Sequence, residues 1–521
     1  MTIPHEHSRK IPDNVYQVYI MTDVYVADIV RRASKAGDSQ LLRYRDQSIT
    51  GTELNSLIFR YARAFERLDI GRNDIVAFFA PTTPDGLAVR YAAALIGAAT
   101  CYLSAPPSPE QRAGLIARVA PRLLVAFGET AHLVPTGINV PLAAVGDGAP
   151  GPRLDELAAT AGDEPIPCRA HPDDIGMVAS SGGTTGTPKA SFRSFAKYTN
   201  LVQAPEDPDR RQLINGKLAY LSQTLLDTTL LGGGTVVLQD TFDPADTLAA
   251  IESEKITDLL LLEPQLDEVI SHPSVAARDL SSLRMLIHAG ASAPPTLRRR
   301  ARSQLGPVVG HGYGANEVGF VSILPPQEHD KPERFTCAGR ARPGVEVRFR
   351  AQDGTIVKPG EAGEIEVRSP RGADGYRNMP ERQATAFVDG WYRTGDLGCL
   401  DSEGFIHFLG RAGEVVQRNG NLITPGHIQE TVCQVPGVRF AVVARNEDTW
   451  IVAAVPWPGG PVDSKACQDA ICKEHGISAK SIIIRSLERI PVTEQGKPDL
   501  AAIRALEPRR KFNWQFRRHR H

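Results

Sequence analysis

Three observations predict an α/β protein with a β-rich section and a compact final segment. Between residue 50 and about residue 310, stretches of helical and strand periodicity alternate, the pattern of mainly parallel strands joined by helical crossovers. After Arg340 the texture changes to short strands punctuated by glycine. A glycine-bounded break at 410–413 then opens a last segment of about 110 residues.

Taken in order, Leu54, Leu57, Ile58, Tyr61, Phe65 and Leu68 recur at helical spacing behind Thr52, a candidate N-cap. The run Ile75–Phe79 reads as a short apolar strand, 84–97 as a helix, and Leu123–Phe127 as extended. Residues 175–179 form another buried strand, followed by extended runs at 218–221, 236–238, 259–262 and 285–287. In the glycine-punctuated section the strands are 345–349 and 364–367. There is no internal repeat.

The chain has 521 residues, 42% of them hydrophobic and 23% charged, with a formal net charge of -1. That is ordinary soluble composition, and it implies no nucleic-acid partner. Pro4, His5, Glu6, Arg9 and Asp13 interrupt the N-terminus, so neither a signal peptide nor an anchor is expected there. The longest apolar tract, 91–103, is broken by Gly97 and Thr100 and is too short for a membrane span. Seven cysteines lie scattered from Cys101 to Cys472 without a C-x-x-C pair, which points to free thiols in a reducing, cytoplasmic setting. Residues 509–521 carry six Arg/Lys and no acid, a solvated basic tail.

The chemistry centres on Ser180-Ser181-Gly182-Gly183-Thr184-Thr185-Gly186-Thr187-Pro188-Lys189. Glycines free the backbone for close approach to a ligand, threonines add hydroxyl donors, and Lys189 adds a positive charge. Leaving a buried strand, such a loop can converge backbone amides on an anion. It is not a Walker A loop, because Thr187 and Pro188 separate Gly186 from Lys189 and Ala190 follows. Downstream, Gly312-Tyr313-Gly314-Ala315-Asn316-Glu317 offers an aromatic face, a glycine, an amide and a carboxylate. Tyr392-Arg393-Thr394-Gly395-Asp396-Leu397 supplies an acid able to accept two hydroxyl hydrogen bonds, as a ribose would require. Arg411 follows Gly410, and Lys497 lies in Pro491-Val492-Thr493-Glu494-Gln495-Gly496-Lys497.

In this order the motifs SGGTTGTPK, GYGANE, GEIEVRSPRGADGY, WYRTGDLG, GRAGEVVQRNGNLITPGHIQE and PVTEQGKPD resemble those of the adenylate-forming superfamily of acyl-CoA synthetases, adenylation domains and luciferases. The resemblance runs over roughly residues 20 to 505. It implies an α/β plus α+β architecture. Residues 1–409 would be an AMP-binding domain of two α/β subdomains and a β-rich subdomain, and 410–508 a small mobile α+β lid. It implies ATP-dependent activation of a fatty or aryl acid to an acyl-AMP with release of pyrophosphate. The acyl group would then pass to the thiol of CoA, or of phosphopantetheine on a separate acyl carrier protein acting in trans.

By the same resemblance, the loop residues Gly183, Thr184, Thr185, Gly186, Thr187 and Lys189 would hold phosphates. Glu317 would hold Mg2+, with Asn316 and Gly314 beside the nucleotide. Tyr313 would stack on adenine next to Gly290 and Ala291, Asp396 and Arg411 would bind the ribose, and Lys497 would bridge the acyl carboxylate and the α-phosphate. The lid would pivot at Gly413.

The chain departs from the family pattern in several places. Gly413 stands where Asp or Lys is usual, Asn316 where Thr is usual, and Phe195 where His is frequent. The stretch 220–234 is short and lacks the aromatic-His pair expected for the acid pocket. Tyr220, Gly290 and Asp227 are candidates for lining that pocket. Asp227, its sole acid, reads either as a partner for the amino group of an amino-acid substrate or as a helix-end or turn aspartate. An amino-acid or other unusual oxyanion activator is therefore the alternative function. A silent nucleotide-binding scaffold is disfavoured by the presence of Lys497, Glu317 and Asp396 together.

Overall fold

The computed structural model describes residues 24–181, 189–218, 220–290, 293–418 and 420–506. Among them the strands form two large sheets, of seven and nine strands, and three smaller ones. In the seven-stranded sheet, Ile175–Ser181, Ala99–Tyr102, Ile75–Phe79, Leu123–Phe127 and Leu142–Val145 are successive parallel neighbours. Lys189–Ser194 and Gly375–Tyr376 add antiparallel strands at one edge. In the nine-stranded sheet, Val309–Ala315, Met285–Ala289, Asp258–Leu262, Arg211–Asn215, Thr235–Gln239 and Gln40–Tyr44 run parallel in that spatial order. Antiparallel strands flank them on both sides.

Parallel strands covered on both faces read as unbroken apolar runs, and Ile75–Phe79 and Leu123–Phe127 are buried at every position. The helices Tyr25–Ala36, Gly51–Arg67, Pro84–Leu95, Phe195–Val202 and Tyr220–Leu231 fill the space between the two sheets. One core joins Phe78 and Val125 of the first sheet to Leu42 and Val236 of the second through Ile29, Phe65, Tyr91 and Leu226. Phe195 belongs to this core, and its ring takes the place of any side chain at Gly176, where an added Cβ would come within 2.7 Å of it.

Two local expectations are corrected. The helix Gly51–Arg67 is capped by Thr50 rather than Thr52. Thr50 Oγ1 accepts the Glu53 N–H at 3.2 Å, and the Glu53 carboxylate accepts the Thr50 N–H at 2.8 Å. This reciprocal box satisfies two otherwise unpaired donors and is worth about 1 kcal/mol. The run 218–221 is not extended, for a helix begins at Tyr220. A short apolar run fits a buried strand or the first turn of a buried helix equally well.

The β-rich section is an antiparallel sheet of Glu346–Arg350, Gly363–Arg368, Trp391–Leu400, Phe387–Val388 and Ile406–Arg411. Beyond it, Val438–Asn446, Thr449–Pro456 and Ile482–Ser486 form a three-stranded sheet. Its alternation sorts side chains to two faces. Ala441 and Val443 face the helices Pro425–Cys433 and Ser464–His475, whereas Phe440, Val442 and Ala444 pack with Leu266, Leu286 and Leu297 of the N-terminal part. No helix among the described residues is long and apolar enough to cross a membrane.

Candidate active site

In open parallel sheets, ligands bind outside the carboxyl ends of the strands. At that edge of the nine-stranded sheet lies a cavity of about 320 Å3. Asn215, Asp240, Leu262, Ala289 and Gly314 reach it, each from at or near the carboxyl end of a different parallel strand. Gly290 continues the wall with φ +93°; a Cβ there would lie 3.0 Å from Leu262 Cδ2 and 3.5 Å from Lys497 Cε. A Cβ at Gly314 would overlap the Gly319 carbonyl, so the close strand pairing at this point requires glycine.

Lys497 enters from the C-terminal part on a tight hairpin. The Thr493 N–H donates to the Lys497 carbonyl and the Gly496 N–H to that of Thr493, both at 2.8 Å, and Gly496 takes φ +82°. Several polar contacts seat this part against the N-terminal part, among them those of Thr296 and Arg299 with Glu430. Gln429 Nε2 donates to Glu263 at 2.7 Å, Arg439 pairs with Asp267 at 3.0 Å, and Arg489 pairs with Glu268 at 2.5 Å. The Glu494 carboxylate accepts the Ala105 N–H. Lys497 is exposed and lines the cavity. Loss of solvation, followed by the repulsion of Arg411, lowers its pKa, while Glu317 and Asp396 oppose that shift.

Asp396 is buried. The Tyr313 hydroxyl donates to its Oδ2 at 2.7 Å, and Arg411 Nη1 stands 3.1 Å from Oδ1, which accepts no hydrogen bond. Burial raises the Asp396 pKa, opposed by Arg411 and Tyr313. Burial and Asp396 together hold the Tyr313 phenol well above its ordinary value. The Tyr313 ring packs 5.5 Å from that of Phe408. Glu317, also buried, accepts the Tyr376 hydroxyl at 2.5 Å. Lys189 lies with its ammonium 5.9 Å from the Tyr376 ring; burial lowers its pKa, and Glu317 is the largest opposing influence. Lys189, Arg411 and Lys497 thus share one electrostatic field with Glu317 and Asp396. With Arg382 also acting on Lys189, the cations outnumber the two carboxylates, which favours a polyanionic ligand.

Of the other sequence-derived residues, Asn316 lines the cavity and its carbonyl accepts from Arg193 at 2.6 Å. Gly413 sits in the turn after Arg411, where an added Cβ would meet nothing within 4 Å. Gly183, Thr184, Thr185, Gly186, Thr187 and Ala291 lie outside the described residues. The strands flanking the loop pair antiparallel, with Ser181 opposite Lys189. Tyr220 heads a helix whose next residues, Leu221 and Ser222, line the cavity.

Asp227 requires a correction. It lies within the helix Tyr220–Leu231, fully buried between the sheets, ion-paired with Arg90 at 2.5 Å and absent from the cavity wall. It is neither a pocket acid nor a turn aspartate. Sequence reasoning gave no role to three residues, Tyr376, which orients Glu317, and Lys217 and Glu494, which line the cavity. Tyr376 closes the GEIEVRSPRGADGY motif and was readable there; a lone Lys217 after a buried strand carried no such signal.

The chain is 28% identical over 496 residues to the medium/long-chain-fatty-acid–CoA ligase FadD8 of Mycobacterium tuberculosis, covering 88% of this chain and 86% of that one. It is 29% identical over 509 residues to the indoleacetate–CoA ligase of Aromatoleum aromaticum, covering 93% and 98%. Among solved structures, the amide bond synthetase McbA from Marinactinospora thermotolerans superposes with a TM-score of 0.81 at 28% identity, covering 93% of this chain and 100% of that one. The family model described as AMP-binding enzyme matches residues 29–377, more than half of the sequence, and this chain belongs to that family.

Proposed function

We propose that this protein uses ATP to activate a fatty or aryl carboxylic acid as an acyl-AMP, releasing pyrophosphate, and passes the acyl group to the thiol of CoA. The carrying observation is Lys497, delivered by the C-terminal hairpin into a cavity whose field it shares with Glu317, Asp396, Arg411 and Lys189. The CoA ligases among its relatives support the reaction class. On this reading residues 1–409 bind nucleotide and acid and residues 410–508 act as the lid. The open surroundings of Gly413 support a pivot there.

The residues present fit ATP and Mg2+. Asp396 Oδ1, buried and without a hydrogen bond, is ready to accept a ribose hydroxyl, and Arg411 beside it would donate to the same end of the nucleotide. Glu317, oriented by Tyr376, would hold Mg2+, whose chemistry is to neutralise phosphate charge. Lys497, on the cavity wall, would bridge the carboxylate and the α-phosphate and stabilise the negative charge that grows as they join. Leu221, Leu262 and Phe320 give the cavity apolar walls that keep water from the mixed anhydride. The thiol of carrier-protein phosphopantetheine would enter the same chemistry in place of CoA. A second reading, transfer to an amine, is favoured by the full-length likeness to an amide bond synthetase.

The test is pyrophosphate release with ATP and Mg2+ across fatty, aryl and amino acids, with CoA or an amine as acceptor, for the native protein and Lys497→Ala. Release that depends on one acid class and falls by about two to three orders of magnitude in Lys497→Ala is expected, the cost of removing one transition-state donor. Near-normal release by that variant would sink the assignment. A thioester product supports CoA, and an amide product supports the second reading.

A further inference from the structure

The acid cavity carries six charged side chains on its wall, Lys217, Asp240, Glu268, Arg489, Glu494 and Lys497. Most already have a partner in the protein. Asp240 accepts from the Tyr44 hydroxyl at 2.9 Å and from Arg45 at 2.8 Å. Glu268 is held by Arg489, and Glu494 accepts the Ala105 N–H. Lys497 belongs to the reaction centre. Lys217 makes no hydrogen bond or ion pair with any described residue, although it is half-buried and within the field of Glu494. With no carboxylate bonded to it among the described residues, the Lys217 ammonium is free to meet an anion on this partly apolar wall.

We propose that Lys217 recognises a second carboxylate on the acid, so that the preferred substrate is a small diacid activated at its other end. This deepens the acid-activating reading and rests on it. Lys217 follows the strand Arg211–Asn215, whereas Gly290, against which Lys497 packs, follows Met285–Ala289. One strand, Asp258–Leu262, lies between them. Two strand spacings put these ends roughly 10 Å apart across the sheet edge, with Leu262 and Phe320 also on the wall. A cation at each end with apolar surface nearby matches a molecule with two carboxylates on an apolar spacer.

The test compares kcat/KM in pyrophosphate release for an aryl monocarboxylic acid and for the same ring bearing a second carboxylate. The native protein is expected to prefer the diacid. In Lys217→Met the diacid-to-monoacid ratio should fall about 10- to 100-fold, the scale of one charged hydrogen bond, and Lys217→Arg should keep most of the preference. Lys217→Glu should move the preference to a ring bearing an amine at that position. An equal loss for both acids, reproduced by Glu494→Gln, would overturn the proposal and make Lys217 a tether for the hairpin. Release with monoacids alone overturns it and leaves acid activation standing, whereas release with no acid at all overturns acid activation as well.

Discussion

Asp227 and Asp396 are both buried aspartates, and they differ in what completes them. Asp227 receives two hydrogen bonds on each oxygen, from Arg90 at 2.9 Å and Tyr91 at 2.6 Å on Oδ1, and from Arg90 at 2.5 Å and Tyr198 at 2.6 Å on Oδ2. Rings of Tyr25, Tyr91 and Tyr198 stand within 6 Å of the Arg90 guanidinium. Asp396 receives a single phenolic donor on one oxygen and keeps the other without a hydrogen bond. Where the chain supplies every partner, the charge belongs to the fold. Where one buried acceptor is left without a hydrogen bond beside Arg411 and within the field of Lys497, a ligand supplies the rest.

The largest effect expected from breaking the contrast is on stability at the closed site. Asp227→Asn leaves a buried guanidinium without its counter-charge and should cost about 3 to 5 kcal/mol, read from equilibrium unfolding in denaturant. If that variant does not fold, the double variant Arg90→Met with Asp227→Leu should recover much of the loss, because removing both charges also removes the need to solvate either. Unfolding of Asp227→Asn at the native midpoint would mean that the cluster is not the structural element described here.

A smaller effect sharpens the contrast from a third side, a buried histidine cluster in which His288 and His311 meet ring to ring, Nδ1 to Nδ1 at 3.4 Å. His288, His311 and His329 are buried together, and burial followed by the Arg298 charge lowers the pKa of all three, that of His329 to about 4. Both ring nitrogens of His329 lack a hydrogen bond. A pKa lower in the folded than in the unfolded state means that the unfolded chain binds more protons. The stability contributed by the neutral imidazole is therefore present above pH 6.5 and is lost as pH falls toward about 4. His329→Gln should flatten the pH dependence of unfolding between pH 6 and pH 5 by about 1 kcal/mol per pH unit. An unchanged slope would show that His329 titrates alike in both states.

The same distinction explains what could be read from the chain. Ile75–Phe79 and Leu123–Phe127 were legible because both faces are covered and the apolar run is unbroken. Glu53 stands three residues after Thr50, so the true cap was readable and the nearer-looking Thr52 misled. Phosphate-loop, tyrosine, aspartate and lysine motifs stood out because each concentrates unusual residue types in a few positions. Asp227 was illegible because its partner Arg90 lies 137 residues away and nothing local marks a helix interior that holds a charge. Lys217 escaped for the opposite reason, since its meaning lies in a partner that the described residues do not supply.

The most direct measurement is the stabilisation of the protein by ATP with Mg2+, followed by chemical unfolding of the native chain and of Asp396→Asn. At a nucleotide concentration one hundred times its Kd for the native protein, a gain of about 2.7 kcal/mol is expected. Asp396→Asn should unfold like the native protein without nucleotide and lose most of that gain when nucleotide is present. An equal gain in both proteins, or none in the native one, would contradict the account that this buried carboxylate is left incomplete for a nucleotide.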